Sequence, residues 1–218
     1  MHDLSLGLEL DAGKSVLFVG AHADDLEIGC GGTALRLVAA HSDAHFYWVV
    51  LTAGEVRGKE ARRAAEDVFA GAAATVVVKD FRDGYLPYTG DAVKEYFEEL
   101  KSTVSPDLIL THYRDDAHQD HRFVSQLTRQ TFRDHLILEY EVPKYDGDLG
   151  QPNAFIELTE EQSRNKTRIL TEHFRSQQER NWFSEESFLA LMRLRGIECN
   201  AASGWAEAFY VRKARIRI

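Results

Sequence analysis

Short, continuous apolar runs alternate with longer amphipathic segments between residues 15 and 140. The apolar runs are rich in β-branched residues and lie at 15–20, 46–51, 75–79, 107–111 and 136–140. A short run without a polar face is typical of a strand covered on both sides, as in parallel sheets. The pattern therefore predicts five strands, the first of them covered on both faces.

Segments with helical periodicity separate these runs, at about 33–41, 59–70 and 91–102, with another that follows residue 121 and continues to about 133. Strands that alternate with helices indicate repeated βαβ units. The predicted fold class is α/β, with a Rossmann-like, mainly parallel sheet flanked by helices and a C-terminal elaboration.

The rhythm changes beyond Glu141, where the C-terminal elaboration begins. Thr159 and Gln162 have the spacing of a capping box, which opens a helix. The elements predicted here are a loop at 143–152, a strand at 155–158, helices at 159–173 and 182–194, a strand at 208–211 and an edge strand at 215–218. We interpret residues 1–218 as a single domain, with a core over about 15–142 and the elaboration over about 143–218.

Composition narrows the functional classes. The chain has 218 residues and a net charge of −9, which argues against a nucleic-acid partner because phosphate binding usually needs a basic face. Its two cysteines do not make a disulfide framework, and its N-terminus lacks the apolar segment of a secretory signal. No run approaches the roughly 18 apolar residues of a membrane helix. We therefore expect a cytoplasmic protein without a membrane span.

One imidazole and two adjacent carboxylates lie where the first strand ends and the first helix begins. They belong to His22, Asp24 and Asp25. In open parallel sheets such a junction opens into the ligand crevice. His22 and Asp25 are three residues apart and can bind one metal ion from one short segment, while Asp24 can face a metal-bound water and accept its proton.

A second group of the same kind follows the fourth strand. His118 and His121 are three residues apart near a helix start, so they share a face. Either can ligate a metal, and Asp120 can orient one imidazole by a hydrogen bond. Two such groups at strand ends predict a metal-dependent hydrolase site. The glycines at 29–33 lack the spacing of a dinucleotide loop and are interpreted as a tight strand-to-helix turn.

These motifs resemble those of a known family. His-Ala-Asp-Asp at 22–25, Gly-Cys-Gly-Gly-Thr at 29–33 and His-Gln-Asp-His at 118–121 are similar to the motifs of the LmbE-like (PIG-L-type) deacetylases, although that family usually has proline at the position of Ala23. The resemblance implies a metal-dependent enzyme, with zinc or another divalent metal such as iron, that hydrolyses a linear amide. The implied substrate is a small N-acetylated amino sugar of the N-acetylglucosamine type or its conjugate, and a homo-oligomer is also suggested.

The resemblance also implies roles for individual residues. His22, Asp25 and His121 would bind zinc, and Asp24 would be the general base. Protonated His118 would face the developing oxyanion, with Asp120 as its orienting partner.

Substrate contacts are implied more weakly. Asp83 lies in an Asp-Gly loop, Arg63 in an Arg-x-x-Glu element, and His173 in a stretch that echoes a further family element. A solvated ion pair, plain turn chemistry and a surface histidine are the alternative interpretations of these three residues.

Other functions fit parts of the pattern. A metal-dependent amidase that acts on a non-sugar or thiol-conjugate amide would use the same residues. A phosphoester hydrolase would be expected to carry more carboxylates, often around two metals. A binding module without activity would be expected to lack the base or the oxyanion partner, and both Asp24 and His118 are present.

Overall fold

The computed structural model describes residues 13–215, which form seven strands, six α-helices and two short 3₁₀ turns. The strands are β1 (Ser15–His22), β2 (His45–Thr52), β3 (Ala73–Val78), β4 (Leu108–His112), β5 (Leu136–Tyr140), β6 (Ala154–Leu158) and β7 (Trp205–Val211). The helices are α1 (Asp25–Ala40), α2 (Glu55–Val68), α3 (Gly90–Thr103), α4 (Gln119–Thr131), α5 (Glu160–His173) and α6 (Glu185–Glu198). The 3₁₀ turns are Leu86–Thr89 and Arg175–Gln177.

All seven strands join one sheet, in the order β3-β2-β1-β4-β5-β7-β6. Strands β1 to β5 are parallel, β7 is antiparallel to β5, and β6 is antiparallel to β7. The predicted mainly parallel α/β fold is confirmed. The strand order reverses between β1 and β4, and ligands bind beyond the carboxyl ends of the strands at such a point.

The alternating side chains of the strands divide the core into two layers. Phe18 and Trp48 belong to the layer that packs against α1, α2 and α5. Leu17 and Val49 belong to the layer on the other face, which packs against α3 and α4. Because both faces are covered, β1 and β2 need apolar residues at successive positions, and this produced the continuous runs seen in the sequence.

Helix α1 begins at Asp25, well before the predicted start near residue 33. The glycine-rich stretch at 29–33 is therefore helical rather than a turn, with an interruption at Cys30 (φ −147°, ψ 19°). A Cβ atom on Gly29 would lie 2.1 Å from Cδ2 of Tyr140, and one on Gly32 would lie 2.4 Å from Cδ1 of Leu158. The glycines thus allow the helix to lie directly against the sheet.

A buried ion pair from the C-terminal elaboration supports the interrupted helix. The carboxylate of Glu207 in β7 accepts hydrogen bonds from the backbone N–H groups of Gly32 (2.9 Å) and Thr33 (2.7 Å). The Nζ atom of Lys166 in α5 donates to Glu207 Oε1 (2.7 Å) and to the carbonyl oxygen of Ile28 (2.6 Å). The elaboration therefore satisfies backbone groups that the interruption leaves free.

We expect Lys166→Met to lower the free energy of unfolding by about 3 kcal/mol, because it leaves Glu207 buried without its cation. Urea unfolding of the metal-free protein measures the change. Lys59→Met is the matched control, since Lys59 pairs with Glu55 in solvent, and it should change stability little. Equal decreases in the free energy of unfolding for the two substitutions would show that the buried pair contributes no more to stability than the exposed pair.

The remaining differences from the predicted elements are at their ends. Helix α6 begins at Glu185, three residues after Trp182, because Ser184 caps it by accepting the backbone N–H of Ser187. The predicted capping box at Thr159 and Gln162 is confirmed. The predicted edge strand at 215–218 falls almost wholly outside the described residues. Over residues 13–215, no helix has both the length and the apolar character needed to cross a membrane.

Candidate active site

Donor atoms of three residues converge at the reversal point of the sheet. Nδ1 of His22, at the end of β1, lies 3.0 Å from Nε2 of His121 and 3.1 Å from Oδ2 of Asp25. Oδ1 of Asp25 lies 3.4 Å from the same nitrogen of His121. Ligand atoms around a tetrahedral zinc with bonds of about 2.1 Å are about 3.4 Å apart. The three residues predicted as ligands are therefore brought together, and their donor atoms fit one ion.

The charges around these atoms favour a cation. Burial lowers the pKa of His22, but Asp25 and other nearby carboxylates outweigh burial and raise the pKa well above its usual range. Burial likewise opposes a charge on His121, yet Asp25 and Asp116 raise its pKa. Burial raises the pKa of Asp25, but the neighbouring imidazoles hold it well below its usual range. A metal ion and protons compete for such a set of donors.

A carboxylate orients His121, and it belongs to Asp116, for which the sequence analysis predicted no role. Oδ2 of Asp116 lies 3.0 Å from Nδ1 of His121, and its Oδ1 accepts the backbone N–H of His118 at 2.7 Å. Placing the His121 proton on Nδ1 leaves the lone pair on Nε2, which is the atom that faces Asp25 and His22. Carboxylates hold metal-binding imidazoles in this way in many proteins.

Asp120 differs from its predicted role. Its buried carboxylate accepts the backbone N–H groups of Gly84 (2.8 Å) and Leu86 (3.2 Å), and lies 3.4 Å from Nε2 of His22. It contacts His118 through its backbone N–H instead, which donates to Nδ1 of His118 at 3.2 Å. The carboxylate of Asp120 thus anchors the loop that follows β3, and it does not orient His118.

His118 is half-buried at the N-cap of α4, and its ring centroid lies 4.8 Å from that of His22 and 4.7 Å from that of His121. Burial and the positive charges of the neighbouring histidines lower the pKa of His118. Because its Nδ1 accepts a hydrogen bond, the neutral ring carries its proton on Nε2. The structure therefore favours a neutral hydrogen-bond donor where the sequence predicted a protonated imidazole.

Asp24 is buried, and the charges of Asp25 and His22 act on its carboxylate. Its Oδ1 accepts a hydrogen bond of 2.6 Å from Nη2 of Arg57, in the first turns of α2. Burial raises the pKa of Asp24, Arg57 lowers it, and the charge of Asp25 raises it again, so that the net direction is upward. A raised pKa makes a carboxylate a better proton acceptor near neutral pH.

The three predicted substrate contacts fall in different places. Asp83 joins the site, since its exposed carboxylate lies 3.2 Å from Nε2 of His22 and 3.6 Å from Nη1 of Arg57. Arg63 is exposed on α2. Nε2 of His173 lies 3.0 Å from Oδ2 of Asp67. Among the described residues, neither Arg63 nor His173 forms a hydrogen bond or ion pair with the site histidines or aspartates.

Sequence reasoning missed Arg57, Asp116 and Lys144. Arg57 follows the carboxyl end of β2, which is next to β1, so the strand order could have indicated it. Asp116 lies two residues before His118 and received no predicted role, because the geometry of the N-cap decides which carboxylate reaches His121. Lys144 gave no signal, since it lies in a loop of the elaboration.

Buried His112, at the end of β4, adds a fourth imidazole to the site. Its Nε2 accepts the backbone N–H of Ala21 at 2.9 Å, and its ring stacks on that of His121 with centroids 3.9 Å apart. Burial and the charge of His121 lower the pKa of His112 to about 4. A neutral His112 therefore links β1 to α4 and supports the ring of His121.

Comparison with known proteins shows what this chain is similar to. A curated relative, the uncharacterized deacetylase YaiS of Escherichia coli (strain K12), is 28% identical over 172 residues, which cover 73% of this chain and 90% of that protein. Among solved structures, the 4-carboxy-2-hydroxymuconate hydratase GalB of Pseudomonas putida KT2440 has a TM-score of 0.75 at 18% identity, covering 94% of this chain and 98% of that one.

The N,N'-diacetylchitobiose deacetylase of Pyrococcus horikoshii has a TM-score of 0.67 at 20% identity, covering 95% of this chain and 88% of that one. These two structures share the fold. The family model described as "PIG-L: GlcNAc-PI de-N-acetylase" matches residues 17–132, which is more than half of the chain and includes both motifs. The chain therefore belongs to the PIG-L (LmbE-like) family.

Proposed function

We propose that the protein is a metal-dependent hydrolase that removes the N-acetyl group from an amino sugar of the N-acetylglucosamine type or from its conjugate. The observation that carries the proposal is the convergence of His22, Asp25 and His121 beside the buried carboxylate of Asp24. Fold alone does not specify a reaction, and a protein named as a hydratase shares this one. The proposal therefore rests on the site residues and on membership of the family.

Zinc, with iron(II) as the alternative, would be held by His22, Asp25 and His121. When bound, such an ion lowers the pKa of its water to about 7 and polarises a carbonyl group. The buried position of the ligands also limits competing solvent. Asp116 keeps the Nε2 lone pair of His121 available by accepting a hydrogen bond from its Nδ1–H group.

Asp24 is proposed to act as the general base. Its carboxylate can take a proton from the attacking water, and its raised pKa favours that transfer. Amine leaving groups depart only when protonated, and the same carboxyl group can return the proton to the nitrogen. The hydrogen bond from Arg57 fixes the carboxylate during both transfers.

His118 is proposed to donate its Nε2–H to the carbonyl oxygen of the amide as negative charge develops there. A donor that is fixed before the reaction stabilises this charge without reorganisation. The backbone N–H of Asp120 supplies the fixed orientation. Asp83, at the exposed rim, is proposed to accept hydrogen bonds from sugar hydroxyl groups.

Release of acetate tests the proposal. Purified protein loaded with one equivalent of zinc or iron(II) is incubated with N,N'-diacetylchitobiose, with a glycoside of N-acetylglucosamine, and with an N-acetylated thiol conjugate that lacks a sugar. We expect acetate and a free amine from at least one sugar substrate. Turnover of the non-sugar amide alone would favour the amidase alternative, and acetate from none of these amides would refute N-deacetylation. Two tightly bound metals per chain would favour phosphoester hydrolysis.

A further inference from the structure

The loop between β5 and β6 reaches the site through one buried cation. Nζ of Lys144 donates to Oδ2 of Asp116 (2.9 Å), to Oδ2 of Asp148 (2.6 Å) and to the carbonyl oxygen of Val142 (3.3 Å). An ammonium group has three N–H donors, and all three are used. Only 11% of the Lys144 side chain is exposed. This cation is therefore held in one place.

The same oxygen of Asp116 faces both Lys144 and His121. Oδ2 lies 2.9 Å from the ammonium and 3.0 Å from Nδ1 of the imidazole, while Oδ1 is bound to the backbone N–H of His118. Asp116 is thus a carboxylate shared between the loop and the site.

Asp148 completes the connection. Its Oδ2 accepts the backbone N–H of Ala117 at 2.7 Å in addition to the Lys144 ammonium. The loop therefore contacts the segment before α4 at two adjacent residues, Asp116 and Ala117. This segment sets the direction of the first turn of α4, which carries His121.

We propose that Lys144 is a positioning residue for the metal centre. Lys144 acts through Asp116 on His121. The inference rests on the ligand set of the proposed function. When the ammonium group of Lys144 is in place, Asp116 is held within reach of Nδ1 of His121. The lone pair on Nε2 of His121 then stays directed at Asp25 and His22. Without the ammonium, Asp116 and Asp148 are like charges that share no cation, and they separate. The C-terminal elaboration thereby takes part in metal binding.

Zinc affinity tests this role without an enzymatic readout. The dissociation constant of zinc is measured by competition with a chromophoric chelator for the unaltered chain, Lys144→Met and Lys144→Arg, with Lys59→Met as a surface control. We expect Lys144→Met to bind zinc 10- to 100-fold more weakly, which is the usual effect of removing a group that orients a ligand. Lys144→Arg keeps the charge and should restore most of the affinity, and the control should bind as the unaltered chain does.

Thermal unfolding of the zinc-free variants separates positioning from packing. An unchanged zinc affinity of folded Lys144→Met would overturn the proposal. Equal losses of zinc affinity in the methionine and arginine variants, together with equal losses of melting temperature, would also overturn it. If the methionine variant does not fold, Lys144→Gln replaces it, with the same expected weakening and the same contrary outcome. Absence of zinc binding by the unaltered chain would instead overturn the proposed metal dependence, and this role with it.

Discussion

His22→Ala and His121→Ala are each expected to purify without the zinc-like ion that we expect the unaltered chain to hold, and to lose all measurable deacetylation. Each substitution removes the donor nitrogen of one of three residues whose nearest donor atoms lie 3.0–3.4 Å apart. A catalytic divalent ion is usually held by three protein ligands, and each variant retains only two. Metal content by plasma emission spectroscopy, at about one ion per chain for the unaltered protein, measures the effect.

His173→Ala is the matched control for these substitutions. It removes a histidine on α5 that pairs with Asp67 on α2. The substitution should leave metal content and turnover unchanged. Retention of one ion per chain by both His22→Ala and His121→Ala would contradict the ligand assignment. In that case His118 and His112 would be the next ligands to test, because their ring nitrogens lie within 4.8 Å of His121 in two overlapping clusters.

The central architecture could be predicted because its signals are local. Strands β1 and β2 are covered on both faces, so they appear as unbroken apolar runs, and the helices that follow the parallel strands appear as amphipathic segments. The two motifs follow β1 and β4, whose carboxyl ends adjoin where the strand order reverses. Placing His22 and Asp25 near His121 therefore needed only the strand positions and the general behaviour of parallel sheets.

The start of α1 could not be predicted because its cause is distant in the sequence. Glycines at 29–33 normally disfavour a helix. Here the backbone groups at Gly32 and Thr33 are bound by Glu207, which lies more than 170 residues further along the chain. Without knowledge of the contact with Glu207, residues 29–33 resemble a turn. Local propensity was overruled by a buried carboxylate from another part of the sheet.

Partner choice within the site was the least predictable part. Asp116 and Asp120 lie on either side of His118, and sequence spacing permits either to reach an imidazole. The extended backbone of His118 at the N-cap directs Asp116 to His121 and Asp120 to the loop at Gly84. Arg57 rather than Arg63 reaches the site, because only the first turns of α2 lie at the carboxyl edge of the sheet.

Asp24→Asn is expected to lower kcat for acetate release by about 10²- to 10⁴-fold, which is the usual contribution of a positioned general base. The amide is nearly isosteric and can still accept the hydrogen bond from Arg57, but it does not take a proton from water at neutral pH. Metal content should stay at the level of the unaltered chain, because His22, Asp25 and His121 are untouched. The measurement is acetate release at saturating substrate, with metal content determined on the same sample.

Asp115→Asn provides the matched control for the general base. Asp115 lies three residues before the second motif, but its half-exposed carboxylate pairs with Arg114 and Arg212 in solvent, so its substitution should leave kcat unchanged. Turnover of Asp24→Asn within threefold of the unaltered chain would remove the base role from Asp24. Loss of metal together with activity would place Asp24 among the ligands instead. Loss of turnover with the metal retained therefore separates proton transfer from metal binding at two adjacent carboxylates, Asp24 and Asp25.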